Sequence, residues 1–254
     1  MAPAPNRMLQ RTIFLVPYVN FSIHWSRVMK NVARLANPTY SDQPATRDHP
    51  PIGGALKRGF DIVGAVAGLM LLSPLFLMIA VLVKCSDGGS IFYGHRRVGR
   101  SGEFFHCLKF RTMVPNGDQV LSAYLSRNPE ARAEWKASRK LQNDPRVTKV
   151  GAVLRKLSLD ELPQILNILR GEMSIVGPRP VVMDELEMYG GSADYYLKSR
   201  PGLTGLWQVS GRNDVSYETR VAFDRHYVEN WSLAADVRII LKTIPAVCLS
   251  RGSY

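Results

Sequence analysis

The feature that most limits how this chain can fold is an apolar segment that runs from Ile62 to Val83 without a charged residue. A helix rises about 1.5 Å per residue, so this segment is long enough to cross the roughly 30 Å hydrocarbon core of a bilayer. The dipeptide Ser73-Pro74 lies near its middle, where proline removes a backbone donor and bends a helix. The segment therefore predicts a membrane helix with a break at Ser73 and Pro74.

Basic residues flank the segment on both sides. Lys57 and Arg58 precede it, and Lys84 and Arg96 follow. Positive residues beside a membrane segment mark its cytoplasmic side. Basic residues at both ends favour a re-entrant helix over residues 57–84, which enters one leaflet, turns at the Ser-Pro step and returns. An ordinary kinked transmembrane helix is the alternative.

The charge of the chain narrows the classes of partner. Its 33 basic and 21 acidic residues give a net charge of +12, and the surplus lies on both sides of the apolar segment rather than in the C-terminal third. Such a surplus suits nucleic acid or an anionic membrane. Its position favours the membrane, so we expect no nucleic-acid partner. The 3 cysteines are widely spaced, which argues against a disulfide framework and favours a reducing cytoplasmic setting.

The order of composition along the chain predicts two parts. Residues 1–56 form a basic N-terminal extension and linker, in which residues 21–35 are either a helix lying on lipid or a disordered extension. Residues 57–254 form the main domain. Residues 236–249 predict a last amphipathic helix that is cut at Pro245 and sits at the membrane interface.

Two adjacent carboxylates, Asp160 and Glu161, precede a leucine-periodic segment that Gly171 ends. Ser158 and Glu161 match a capping box, but Pro163 would then fall inside the helix. With Asp160 as N-cap, Pro163 falls in the first turn, where backbone N–H groups have no intrahelical partner. We prefer this second interpretation, which puts both carboxylates at a helix N-terminus that favours phosphate esters. The alternative is a cap beside a solvated glutamate.

Basic side chains follow in two other places. Arg179 lies between two prolines, which hold its backbone stiff and suit a guanidinium that binds phosphate with both of its arms. Turn signals at residues 99–102 between short apolar runs predict a β-hairpin. That hairpin would present Lys109 and Arg111 to a diphosphate.

Several motifs in order make the chain recognisable. Residues 158–164 (SLDELPQ) and 177–180 (GPRP) closely resemble the bacterial sugar transferase family, the monotopic polyprenyl-phosphate sugar-1-phosphate transferases. The resemblance runs from about Lys57 to the C-terminus and includes residues 109–113 (KFRTM), 143–148 (NDPRVT) and 200–208 (RPGLTGLWQ). Within the family the chain looks most like the galactose-1-phosphate transferases that start succinoglycan-type exopolysaccharide.

The resemblance implies a fold and a reaction. It implies a mainly α monotopic membrane protein with a small β-hairpin, a re-entrant membrane helix, and a catalytic domain on the cytoplasmic face of the bacterial inner membrane. The implied reaction transfers a sugar-1-phosphate, galactose-1-phosphate by this likeness, from a UDP-sugar to undecaprenyl phosphate and releases UMP. Asp160 would be the nucleophile, and Asp160 and Glu161 would hold Mg²⁺. The substrate phosphates would be bound by Lys109, Arg111, Arg155 and Arg179.

Three residues near the last motif are assigned to the nucleotide base or the sugar, namely Trp207, Gln208 and Arg212. A Trp207 that is merely packed is the equal alternative. The rival function is a non-catalytic, membrane-anchored adaptor of a polysaccharide assembly complex, which would not need Asp160. The motifs leave open which sugar is transferred, and they leave open the oligomeric state, a homodimer included.

Overall fold

The computed structural model describes residues 50–210 and 216–248, with side chains described up to Pro245. The helices are α1 (Gly54–Asp87), α2 (Gly117–Arg127), α3 (Pro129–Ser138), α4 (Lys149–Lys156), α5 (Gln164–Arg170), α6 (Met183–Glu187), α7 (Ala193–Leu197), α8 (Leu206–Val209), α9 (Tyr217–Glu229) and α10 (Leu233–Cys248). The strands are β1 (Phe92–Val98), β2 (Phe104–Phe110), β3 (Ser174–Val176) and β4 (Gly202–Thr204). A mainly α protein with a small hairpin is confirmed.

The apolar segment forms the middle of the long helix α1. Gly88 ends this helix with a φ of 72°, a left-handed conformation that glycine adopts at little cost. One face of α1 is buried against the rest of the chain at both ends of the helix. The buried residues lie about one turn apart, Lys57, Asp61 and Ala65 in the first half and Ile79 and Val83 in the second. The opposite face exposes large apolar side chains such as Met70 and Leu71. By length and composition α1 can cross a membrane, and it is the one such helix in the described ranges.

The helix continues through Pro74. Proline has no N–H to donate to the carbonyl of Met70, one turn earlier. The hydroxyl of Ser73 donates to that carbonyl instead, over 2.9 Å. Lipid offers no group that could satisfy an unpaired carbonyl, so the serine replaces the bond that the proline removes. The helix is therefore continuous at Ser73 and Pro74, where the sequence predicted a break.

Both halves of α1 pack against the same domain. In the first half, Ala65 belongs to an apolar cluster with Ile165 of α5. In the second half, Ile79 belongs to a cluster with Phe110 of β2 and Leu154 of α4. Since α4 and α5 follow one another along the chain, the two ends of the long helix are held by neighbouring elements.

The predicted hairpin around residues 99–102 is confirmed. Strands β1 and β2 pair antiparallel, with Phe92 opposite Phe110 and Val98 opposite Phe104. The turn between them needs left-handed backbone at Ser101 and at the glycine that follows it. The register places Lys109 opposite Tyr93, near the end of β2 that leads to the KFRTM motif.

A second sheet brings two of the motifs together. Strands β3 and β4 pair parallel, with Ser174 opposite Gly202 and Val176 opposite Thr204. The chain then passes so closely that a Cβ at Gly177 would lie 2.4 Å from the carbonyl oxygen of Arg200. Only glycine fits at this position, so the GPRP loop is locked against the loop that precedes Trp207.

Two local expectations are wrong. The helix after the carboxylates begins at Gln164, with Pro163 just before it, while Asp160 lies in a separate 3₁₀ turn over Leu159–Glu161. Pro163 lacks the N–H that a longer helix would need, and the helix therefore starts after it. Asp160 is not its N-cap. Helix α10 is not cut either, because it runs through Pro245 to Cys248.

Other expectations fall partly or wholly outside the described residues. These are the extension and linker up to residue 49, with its proposed lipid-facing helix at residues 21–35, and the assignment of Arg212. The membrane helix was expected over residues 57–84, and α1 begins earlier, at Gly54, and ends later, at Asp87.

Candidate active site

The two adjacent carboxylates lie in the short turn between α4 and α5. Ser158 has a φ of 54°, and this left-handed residue redirects the chain after α4. Asp160 is 8% exposed and therefore buried. Glu161, its neighbour, is only half-buried. The turn thus gives the two carboxylates different surroundings although they are consecutive.

Lys109 is the cation closest to this pair in the described residues. Its Nζ lies 2.6 Å from Oε1 of Glu161 and 3.8 Å from Oδ2 of Asp160. The hairpin supplies this lysine from β2, so the predicted grouping of Lys109 with the carboxylates is found. The ammonium group neutralises part of the charge that the two carboxylates bring together.

Burial and charge compete at these groups. Burial raises the pKa of Asp160, and the charge of Glu161 raises it further, while Lys109 and Arg155 oppose the shift. Burial by itself would lower the pKa of Lys109, but Glu161 and Asp160 outweigh it, so this pKa is raised and the ammonium stays charged. The site therefore contains a poorly hydrated carboxylate beside a permanent positive charge.

Arg155 is placed by contacts between two motifs. Thr148 caps α4 by accepting a hydrogen bond from the backbone N–H of Gly151 at 2.9 Å, as N-cap threonines do. Thr148 also donates its backbone N–H to the carbonyl of Thr112 at 3.0 Å. Arg155, in the last turn of α4, donates its Nε to the hydroxyl of Thr112 at 2.9 Å. Its guanidinium is exposed, and its charge acts on Asp160.

Among the described residues, Arg111 forms its ion pair elsewhere than with the two carboxylates. It forms an ion pair with Asp87, the last residue of α1. The guanidinium thereby ties the end of β2 to the end of the membrane helix. In the structure, Lys109 lies beside the carboxylates, whereas Arg111 lies at the C-terminal end of α1.

Arg179 is exposed on the rigid loop between its two prolines. Its guanidinium carbon lies 5.2 Å from the centre of the Trp207 ring, a cation–π contact. Burial raises the pKa of the Cys107 thiol to about 11, and Arg179 acts on it together with Lys109 and Arg97 to oppose that shift. The charge of Arg179 therefore acts on the hairpin that carries Lys109.

Trp207 and Gln208 occupy the short helix α8. The indole is 4% exposed, and the guanidinium of Arg220 also lies over it, 5.1 Å from the ring centre. A base therefore has little of this ring to stack on as it stands, which favours the packed alternative for Trp207. The side chain of Gln208 is half-buried. Its Oε1 accepts no hydrogen bond from the residues that the structure describes.

Sequence reasoning missed a polar group on the hairpin. Arg97 pairs with Glu185 at 3.1 Å, and its other arm lies 3.1 Å from Nδ1 of His95. Burial, Arg97 and Lys109 together lower the pKa of His95, so the imidazole is neutral at neutral pH. The period-two alternation of β1 and β2 could have revealed this, since Tyr93, His95 and Arg97 share the face of Lys109.

The donor set suits the implied magnesium ion. In residues 50–210 and 216–245, no three His, Cys, Asp or Glu side chains come together as metal ligands. Mg²⁺ is commonly bound by one or two carboxylates while substrate phosphates and water complete its shell. Asp160 and Glu161 are such a pair. They fit a magnesium ion that arrives with a diphosphate, and they do not form a closed metal cage.

Comparisons with known proteins agree with this architecture. The family model described as "Bacterial sugar transferase" matches residues 52–250. The chain is 66% identical over 226 residues to the exopolysaccharide production protein ExoY of Sinorhizobium fredii, which covers 89% of this chain and all of that protein. It is 58% identical over 199 residues to the UDP-galactose-lipid carrier transferase of Erwinia amylovora. It is 55% identical over 199 residues to the undecaprenyl-phosphate galactose phosphotransferase of Salmonella typhimurium. Both of these matches cover 78% of this chain and 42% of the relative.

Proposed function

The chain belongs to the bacterial sugar transferase family and is a phosphoglycosyl transferase, and we propose that it moves galactose-1-phosphate from UDP-galactose to undecaprenyl phosphate with release of UMP. The observation that carries this proposal is the buried Asp160 beside Glu161 and Lys109. Membership of the family supports the transfer of a sugar phosphate to a lipid carrier. We propose in addition the sugar, the nucleotide product and the covalent step.

The proposed reaction has two displacements at one phosphorus. In the first, an oxygen of Asp160 forms a bond to the sugar-bearing phosphorus of UDP-galactose, and the bond from that phosphorus to the bridging oxygen breaks. UMP leaves with the electron pair. In the second, an oxygen of undecaprenyl phosphate bonds to the same phosphorus, and the bond to Asp160 breaks. The carboxylate is restored and the product is a lipid-linked diphosphate sugar.

The surroundings of Asp160 support its role as the nucleophile. Burial strips water from the carboxylate, which raises its pKa, and Lys109 keeps the charged form accessible. In phosphoryl transfer the protein mainly positions groups and neutralises charge. Lys109, Arg155 and Arg179 are the cations that would bind the phosphate oxygens. Asp160 and Glu161 would hold Mg²⁺, which supplies further charge neutralisation at those oxygens.

The packing of α1 supports a monotopic position in the membrane. Near its start, Lys57 bonds to Asp236 at 2.7 Å and Arg58 donates to the carbonyl of Ile168 at 2.6 Å. At its end, Asp87 pairs with Arg111. A helix whose two ends are held by one polar domain cannot place them on opposite sides of a bilayer. We therefore propose that α1 enters one leaflet and that the domain lies on the cytoplasmic face of the inner membrane.

The relatives support galactose as the transferred sugar. The names of the Erwinia and Salmonella proteins both specify galactose, and the named activity of the Salmonella protein uses undecaprenyl phosphate as carrier. The name of the Sinorhizobium relative places it in exopolysaccharide production. Together they support a first membrane step in the synthesis of an exopolysaccharide repeat unit.

The proposal is tested with the full-length protein in detergent micelles. Purified protein, Mg²⁺ and undecaprenyl phosphate are incubated separately with UDP-galactose, UDP-glucose and an N-acetylated UDP-sugar, and UMP is measured. We expect continuous release of UMP only when the lipid phosphate is present. The rate of release should be highest with UDP-galactose. Release of UDP in place of UMP would contradict sugar-1-phosphate transfer, and equal rates with UDP-glucose would contradict the choice of sugar.

A further inference from the structure

The face of the hairpin that carries Lys109 also carries a histidine that the proposed reaction does not use. Tyr93 lies opposite Lys109 in the register, and His95 lies opposite Cys107. Paired residues of antiparallel strands project from the same face of the sheet, and residues two apart along a strand share a face. Lys109 and His95 are therefore diagonal neighbours on one face, about 7–8 Å apart along the sheet.

Strand β1 is less covered than β2 on this face. Phe105 and Cys107 of β2 are buried in an apolar cluster with Ile165 of α5. Across the hairpin, Tyr93 is 54% exposed and His95 is half-buried. The side chains of β2 therefore hold the hairpin on the domain, while those of β1 are accessible to a ligand.

Polar contacts hold His95 on the side away from Lys109. The guanidinium of Arg97 lies 3.1 Å from Nδ1 of His95 and 3.1 Å from Oε2 of Glu185. The same oxygen of Glu185 accepts the backbone N–H of Val182 at 3.1 Å, just after the GPRP loop. His95 therefore lies between the lysine at the carboxylates and the segment that follows the GPRP loop.

The contact with Arg97 decides which nitrogen of the imidazole carries the proton. A guanidinium can only donate hydrogen bonds, so Nδ1 of His95 is the acceptor. Burial and the charges of Arg97 and Lys109 lower the pKa of His95, so the ring is neutral and its proton is on Nε2. Within the described ranges, the hydrogen bond of this ring is the one at Nδ1. Nε2 is therefore a neutral hydrogen-bond donor that a ligand can use.

The chemistry of this group favours a sugar hydroxyl over a phosphate oxygen. Phosphate oxygens are charged and form their strongest hydrogen bonds with cations, and the proposed site already supplies Lys109, Arg155 and Arg179 for them. A neutral N–H group suits an uncharged hydroxyl. The spacing agrees, because the far hydroxyls of a pyranose are about as distant from the attached phosphorus as His95 is from Lys109.

The neighbouring aromatic ring suits the same ligand. The centre of the Tyr93 ring lies 6.2 Å from that of the His95 ring. Tyrosine combines an apolar ring with a polar hydroxyl, and the C–H groups on one side of a pyranose can pack on such a ring while its hydroxyls form hydrogen bonds. The pair therefore offers a sugar both an apolar surface and a hydrogen-bond donor.

We propose that His95 is a sugar-binding residue, which donates its Nε2–H to a hydroxyl of the hexose in the UDP-sugar. This inference rests on the proposed function, in which the sugar-bearing phosphorus lies at Asp160. The hydrogen bond holds the sugar beside the attacking carboxylate and depends on a hydroxyl at one position of the ring. His95 thereby distinguishes between sugars, which the phosphate-binding cations cannot do because all UDP-sugars share the same diphosphate.

The first test compares two variants of His95. His95→Phe keeps a ring and removes the N–H group, whereas His95→Gln places an amide N–H near the position of Nε2. Both variants lose the contact with Arg97, so a difference between them reports the hydrogen-bond donor. With UDP-galactose, we expect His95→Phe to lower kcat/KM for UMP release about tenfold, as the loss of one neutral hydrogen bond does. His95→Gln should stay within about threefold of the wild type.

Analogues of UDP-galactose that each lack one sugar hydroxyl identify the partner of Nε2. With one of these analogues, kcat/KM of the wild type should fall about tenfold. His95→Phe should then change it by less than about twofold, because the hydrogen bond is already absent. With the other analogues the loss from His95→Phe should remain about tenfold.

The matched control is a histidine on the opposite face of the same hairpin. His106 is exposed and lies opposite Arg96, so it does not share the face of His95. His106→Phe should leave kcat/KM within about twofold of the wild-type value with every UDP-sugar. Thermal unfolding in detergent checks that the variants are folded. Should His95→Phe fail to fold, His95→Ala replaces it, since that variant only removes atoms.

Binding measurements separate a contact with the sugar from a contact with the diphosphate. In the Asp160→Asn background, which should not turn over, calorimetry with Mg²⁺ gives the affinities for UDP-galactose and for UDP, which has no sugar. Adding His95→Phe should weaken UDP-galactose about tenfold and leave UDP within about twofold.

Three results would overturn the inference. One is an equal loss of affinity for UDP and UDP-galactose, which would indicate a contact with the nucleotide or its phosphates. Another is the same loss from His95→Phe with every analogue, which would indicate a structural role. The third is a folded His95→Phe variant with wild-type kcat/KM. The proposed function is judged separately, by UMP release from the wild type, and the calorimetric comparison requires no turnover.

Discussion

Asp160 and Glu161 are consecutive residues with different surroundings, and the difference suggests different roles. Asp160 is buried, whereas Glu161 is half-buried and forms the short ion pair with Lys109. A carboxylate that acts as a nucleophile benefits from the loss of its hydrating water. A carboxylate that binds a metal or a lysine does not depend on that loss. We therefore expect Asp160 to form the bond to phosphorus and Glu161 to support it.

Replacement of Asp160 by Asn should abolish turnover and leave the fold intact. The amide matches the shape of the carboxylate but cannot form the phosphosugar adduct. Since Asp160 caps no helix in this fold, the loss cannot come from a missing cap. To measure this, the enzyme is mixed with Mg²⁺ and radiolabelled UDP-galactose in the absence of lipid. The label that remains bound to the protein after denaturation is then counted.

Glu161→Gln is the matched comparison. It should also slow turnover severely, but it retains Asp160, so some label should still be trapped. Label on the Asp160→Asn variant at the wild-type level would show that another group is the nucleophile. Wild-type kinetics that require both substrates to bind before UMP leaves would lead to the same conclusion.

Arg179→Lys should reduce activity even though the charge is kept. Lysine has a single ammonium group and cannot reproduce the planar fork of arginine, and it would also lose the contact that Arg179 makes with the Trp207 ring. The loss of one charge-assisted hydrogen bond corresponds to about 2 kcal/mol. Steady-state kinetics with UDP-galactose should show it mainly in kcat/KM, and unchanged kinetics would mean that charge alone matters at this position.

At the scale of elements, α1 determines how the protein meets the membrane. Single cysteines placed near Lys57 and near Gly94, in a background without the native cysteines, should both react with an impermeant thiol reagent only from the cytoplasmic side. Both positions flank the same helix, whose ends are held by one domain. Labelling of either cysteine from the periplasm would show instead that α1 crosses the bilayer.

Sequence patterns predicted the secondary-structure elements whose apolar periodicity or turn residues extend over several positions. The hairpin follows from turn residues between apolar runs. The pairing of β3 with β4 was missed because strands of 3 residues are too short for any alternation to show. The helix start was misplaced because local rules accept a proline in the first turn of a helix, whereas here Pro163 precedes the first helical residue, Gln164.

At the scale of the whole molecule, the sequence predicted that Lys109 lies with the two carboxylates, and it did not predict how the surrounding motifs are held. The grouping of Lys109 with Asp160 and Glu161 was expected from family motifs and is found. The ion pair of Arg111 with Asp87 and the burial of Trp207 depend on contacts between distant segments. No local pattern records such contacts, since each residue alone resembles an ordinary surface or core position.

The membrane helix and the candidate site are joined through one buried polar network. Lys57 of α1 donates to Asp236 at 2.7 Å and to the carbonyl of Val176 at 2.9 Å, and Tyr227 donates to the same carbonyl at 3.0 Å. Val176 ends β3 and precedes the glycine of the GPRP loop. Lys57, near the start of α1, is thus bonded to the strand that leads into the loop containing Arg179.

This network predicts an asymmetric response to mutation. Lys57→Met should lower the free energy of unfolding by about 3–5 kcal/mol, because it leaves Asp236 buried with no cation to compensate its charge. The double variant Lys57→Met with Asp236→Leu removes both charges and should recover much of that loss. Thermal unfolding in detergent measures the stability of the single and the double variant.

UDP affinity should fall in the single variant, since the strand that holds the Arg179 loop loses one of its bonds. Equal unfolding midpoints for the single and the double variant would contradict an uncompensated charge as the cause, and an unchanged UDP affinity would show that the membrane helix and the loop are not coupled through β3.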